Sequence, residues 1–142
     1  MPIARAVVRN QRSRMHDSYG SGQFGDSRDG GSRAHKGLDV AAAPREMIYS
    51  PIKGTIVREA FPYKGDLSVR GLIIRGTAEW KDYEIKIFYA EGLLTGDVMP
   101  GQHIAFAQNL GKKYPGITNH VHIEVRCRNN VINPQVIFAQ CF

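Results

Sequence analysis

With 142 residues, 42% of them hydrophobic, the chain is long enough to bury one core and too ordinary in composition to be disordered or fibrous. Nineteen Lys and Arg against thirteen Asp and Glu give a formal charge of +6 and a pI near 9.5. That balance favours anionic partners such as cell-wall polymers, nucleic acid or acidic surfaces, without selecting among them. No run of about eighteen apolar residues exists, which excludes a membrane-spanning helix, and the opening MPIARAVVRNQRSR lacks the apolar centre of a secretory leader.

In chain order, residues 1–23 read as an Arg-, Gly- and Ser-rich solvated arm and loop, ahead of a single domain over residues 24–142. The arm has no aromatic interleaving, so nucleic acid is not expected as its partner. From residue 38 the texture changes to short apolar or alternating runs: LDVAA, MIYS, GTIVREA, VRGLIIRG, YEIKIFYA, HIAFAQ and HVHIEVR. Gly, Pro and Asp punctuate them. Short strands between turns predict an all-β, mainly antiparallel fold. In EWKDYEIKIFY, alternation puts Tyr83, Ile85, Ile87 and Tyr89 on one core-facing side and leaves Trp80 in a loop as an exposed contact. At the C-terminus, Asn133 as a cap and Pro134 at the first helical position predict a short helix. Cys127 and Cys141 are too widely spaced for a zinc knuckle; whether they form a disulfide depends on the redox compartment.

Two segments concentrate the chemistry. In HVHIEV, strand alternation places His120 and His122 on one face and Val121, Ile123 and Val125 on the other. In HKGLDV, His35 and Asp39 are four residues apart, with Gly37 allowing a close backbone between them. If the two segments pack together, imidazole nitrogens and a carboxylate oxygen converge. Such a set suits zinc and leaves one tetrahedral position for water. The competing reading is ordinary polar residues on half-buried strands. His16 and His103 have no such partner and read as surface or loop residues.

On these residues the chain resembles the M23, lysostaphin-type, zinc metallopeptidases that cut peptide cross-bridges of peptidoglycan. The resemblance runs through FGDSR, HKGLDVAAA, IYSPIKGTIV, MPGQHIA and HVHIEV, in that order. Within the family, YPGITNHVHIE and GSGQF look closest to a secreted, cytokine-like chemotaxin branch, with Ser21 where that branch has a cysteine. The resemblance implies two small antiparallel sheets forming a groove, and a Zn2+ ion held by His35, Asp39 and His122. It also implies a role for His120 at the attacked carbonyl or in proton transfer.

The sequence departs from the active pattern at one place. Active members carry a second catalytic histidine in a Y-x-H segment, where this chain has Tyr89 and then Glu91. On a regular strand both side chains would face the metal. Glu91 would then serve as general base and Tyr89 as a donor to the developing oxyanion; the alternative is a solvated glutamate at a strand end. Two functions follow. The leading one is a zinc endopeptidase acting on peptidoglycan or another anionic cell-wall polymer, with Lys112 and Lys113 at the groove rim. The other is a catalytically inactive, zinc-stabilised binding module with a protein receptor as partner. Either implies an extracellular or periplasmic site of action.

Overall fold

The computed structural model describes residues 2–12, 14, 16–17, 20–21, 25, 27–28, 33–34 and 36–138. His35 and Cys141 lie outside them, and with them the third expected metal ligand and the question of a disulfide.

Two short ladders come first, β1 (His16–Asp17) with β2 (Gly20–Ser21) and β3 (Ser27–Arg28) with β4 (Arg33–Ala34). The main sheet contains β5 (Leu38–Ala41), β7 (Gly54–Ala60), β8 (Gly71–Gly76), β9 (Tyr83–Phe88), β11 (Gly96–Val98), β13 (His120–Cys127) and β14 (Asn130–Ile132). Its order is β11-β7-β8-β9-β13-β14, with β5 also pairing β13. A second sheet is formed by β6 (Met47–Tyr49), β10 (Ala90–Gly92) and β12 (His103–Ala107), in the order β10-β12-β6. Every pairing is antiparallel. The fold is thus the all-β, two-sheet architecture expected.

Strand β13 is the best-anchored element near the site. Its inward residues Val121, Ile123 and Val125 are fully buried, as are Ile85 and Ile87 of β9. Burying each such side chain contributes roughly 1.5–3 kcal/mol. Both edges of β13 are hydrogen-bonded. Strand β9 runs along one, while β5 at residues 120–123 and β14 at residues 125–127 divide the other. The alternating face therefore presents His120, His122, Glu124 and Arg126 from a fixed backbone.

Four expectations change. Residues 4–8 are no solvated arm: Ala4, Val7 and Val8 join the hydrophobic core, and Tyr49 N–H donates to Val7 O at 2.7 Å. Trp80 is buried rather than exposed, because its 3-10 turn (Ala78–Trp80) folds its ring edge-on against Tyr83. His103 lies half-buried in β12, between the rings of Tyr49 and Phe106. The C-terminal helix is a single 3-10 turn (Pro134–Val136), capped by Asn133 and followed by the buried Ile137 and Phe138. Among the described residues, no helix is long and apolar enough to cross a membrane.

Candidate metal centre

The β5–β13 register sets His122 directly opposite Asp39, so the two distant motifs meet through backbone hydrogen bonding. His122 Nδ1 lies 2.9 Å from Asp39 Oδ1. The other ring nitrogen donates to Glu124 Oε2 at 3.0 Å, and Phe88 stacks on the ring at 5.9 Å. Gly37 passes against the same imidazole: a Cβ at this position would lie 2.8 Å from His122 Nε2. The glycine is needed for close approach.

Asp39 is buried, and its second oxygen accepts a hydrogen bond from Arg14 Nη1 at 2.8 Å. Arg14 is only 4% exposed. It arrives on a segment that runs beside β5, with Arg14 N–H donating to Asp39 O at 2.8 Å and Ala41 N–H to Arg12 O at 2.9 Å. Nothing in the sequence marked this arginine. Its contact depends on a tertiary placement that no local pattern encodes.

His120 is held differently. Its Nδ1–H donates to Thr118 O at 2.8 Å, which turns Nε2 toward Asp39 Oδ2 at 3.5 Å. Burial pushes its pKa below the ordinary value, against the opposing charge of Asp39. For His122, burial acts in the same downward direction. The hydrogen bonds to Asp39 and then Glu124 outweigh it, and the pKa is raised. Two imidazoles on one strand face thus have opposite charge preferences.

Tyr89 meets His120 edge-on at 5.4 Å. Its hydroxyl pairs with that of Tyr63 at 3.1 Å, and Tyr63 pairs with Tyr114 at 2.6 Å. Burial raises the Tyr89 pKa, despite the lowering effect of the Tyr63 hydrogen bond, so the phenol stays protonated. These three tyrosines, with Arg14, Asp39, His120, His122 and Glu124, line a cavity of about 310 Å³.

Glu91 is not brought to this cavity. Tyr89 adopts φ +66°, which breaks the alternation between β9 and β10 as the chain passes from one sheet to the other. Glu91 instead forms an exposed ion pair with Arg45 at 3.5 Å and lines a neighbouring depression of about 490 Å³. The expectation that Tyr89 and Glu91 face the metal together therefore fails for Glu91. Lys112 and Lys113 line that depression, and Lys113 pairs with Asp66 at 3.3 Å.

The described residues offer two of the three expected zinc donors, and no group of three His, Cys, Asp or Glu able to hold a metal occurs among them. The pair itself fits. Two ligands at ~2.0 Å from a tetrahedral zinc lie ~3.3 Å apart, so the 2.9 Å separation of Asp39 Oδ1 and His122 Nδ1 needs to open by only about 0.4 Å. Arg14 occupies Oδ2 and leaves Oδ1 facing the imidazole.

Residues 31–141 match the family model for the LECT2 C-terminal domain. Leukocyte cell-derived chemotaxin-2 of Mus musculus is 34% identical over 113 residues, covering 78% of this chain and 71% of that protein. Among solved structures, a zinc-containing peptidase from Vibrio cholerae has a TM-score of 0.57 at 25% identity, over 91% of this chain and 39% of that one. The catalytic domain of lysostaphin from Staphylococcus simulans has a TM-score of 0.62 at 17% identity, over 80% of this chain and 86% of that one. The fold is that of the M23, lysostaphin-type peptidases.

Proposed function

Because the chain belongs to the LECT2 C-terminal domain family, we propose that it is a zinc-stabilised M23-like module whose groove recognises a ligand without hydrolysing it. The observation that carries this reading is the diversion of Glu91 to an ion pair with Arg45, outside the cavity. Asp39 and His122 would hold the ion together with His35. A bound zinc would contribute folding free energy at such a site and, in an enzyme, Lewis acidity. Arg14 keeps a positive charge on Asp39 in the cavity wall, and His120 stays neutral behind Tyr89. The partner is a protein receptor or an anionic cell-wall polymer, met in an extracellular or periplasmic setting. The chain's +6 charge favours the acidic partner surface either would present.

One observation favours the second reading, an endopeptidase acting on peptidoglycan cross-bridges. The Tyr89 hydroxyl is protonated and held by Tyr63, on a ring that meets His120 edge-on, as a donor to a developing oxyanion should be. His120 would then take or return the proton.

Digestion of purified peptidoglycan by the zinc-saturated protein, beside a His120→Ala variant, separates the two. The module reading expects no release of cross-bridge fragments by either protein. Release by the wild type and none by the variant would establish the peptidase.

A further inference from the structure

We infer that Glu124 is a positioning residue, which turns the His122 imidazole so that Nδ1 rather than Nε2 is presented beside Asp39. This inference rests on the zinc reading above and deepens it. Strand alternation puts Glu124 on the same face as His122, two residues on, and it is only 12% exposed. Its Oε2 accepts from His122 Nε2 at 3.0 Å. The Gly37 backbone crowds the same edge of the ring, and Phe88 fixes its plane by stacking. The imidazole is thus clamped with one nitrogen committed to a carboxylate and the other 2.9 Å from Asp39 Oδ1. A carboxylate on the distal nitrogen of a metal-binding histidine fixes its orientation and raises its basicity; removing it typically costs 10–100-fold in metal affinity. Lys86, opposite Glu124 on β9, supplies a cation on the same face.

The test is zinc affinity by competition with a chelator, for the wild type, Glu124→Ala and Glu124→Gln. Glutamine keeps an acceptor for the ring N–H and alanine does not. The expected result is a loss of about 10–100-fold for the alanine variant, with most of that affinity restored by glutamine. In the cobalt(II)-loaded proteins, the exchangeable N–H proton of His122 should give a paramagnetically shifted signal in the wild type and the glutamine variant. It should be lost to solvent exchange in the alanine variant. Melting of the metal-free forms tests whether each variant remains folded. Unchanged zinc affinity in Glu124→Ala overturns the inference while leaving the zinc reading intact, as does a glutamine variant as weak as alanine. A wild type that takes up no zinc overturns both.

Discussion

His122 Nδ1 and Asp39 Oδ1 stand 2.9 Å apart although 83 positions separate the two residues in the chain. The β5–β13 ladder produces this contact: pairing Leu38–Ala41 with His120–Ile123 leaves the two side chains opposite one another. Cross-strand neighbours of this kind are the closest side-chain pairs a sheet offers.

The buried Arg14–Asp39 pair makes a first prediction. Removing one partner of a buried ion pair costs up to about 3–5 kcal/mol, and here Asp39 keeps His122 at 2.9 Å as a second partner. Arg14→Ala should therefore destabilise the metal-free protein by at most about that amount in urea unfolding, and added zinc should restore part of the loss by neutralising Asp39. A variant as stable as the wild type would show that Arg14 does not hold this carboxylate.

The two imidazoles predict opposite dependences of stability on pH in the metal-free protein. His122 has a raised pKa when folded, so its contribution is fully present below the unfolded value near 6.5 and is lost as pH rises through the folded pKa. His120 has a lowered pKa, so protonation of the unfolded chain erodes stability as pH falls from near 6.5 through the folded value. Unfolding midpoints across pH should show a flatter alkaline side in His122→Gln and a flatter acid side in His120→Gln. The reverse pattern would contradict the geometry.

Much of this site was legible in the sequence. Period-two alternation in HVHIEV gives the shared face of His120 and His122, and the same count would have reached Glu124 two residues further on. Gly37 was readable as a tight point in the backbone between His35 and Asp39, but not as the place where β13 comes close. Glu91 departs from the alternation because the left-handed backbone of Tyr89 ends the strand before it. Such a conformation is uncommon in a tyrosine, and no local residue pattern announces it. Trp80 and the N-terminal valines depart from expectation for a related reason. The charged neighbours of Trp80 and the Arg-rich surroundings of Val7 and Val8 look solvated until a core is there to receive the apolar residues between them.

Gly37→Ala tests the close approach. A methyl group there would meet the Ile123 backbone and the His122 ring, neither of which is a flexible side-chain end. A cost of about 1–3 kcal/mol in unfolding free energy is expected, with weakened zinc binding. A neutral substitution would mean that this segment moves freely relative to β13.

Glu91→His supplies the imidazole type that active peptidases carry, but at a position facing Arg45 and the neighbouring depression. No gain of peptidoglycan cleavage is expected. The exposed ion pair it removes should change stability by no more than about 1 kcal/mol. Gain of cleavage would show that the residue can reach the cavity and would revive the enzymatic reading.

The most direct measurement is calorimetric titration of zinc into the metal-free protein and its Asp39→Ala variant. One zinc per chain should bind the wild type, with loss of that binding in the variant. Absence of binding to the wild type, or equal binding to both, would contradict the metal centre on which both functional readings stand.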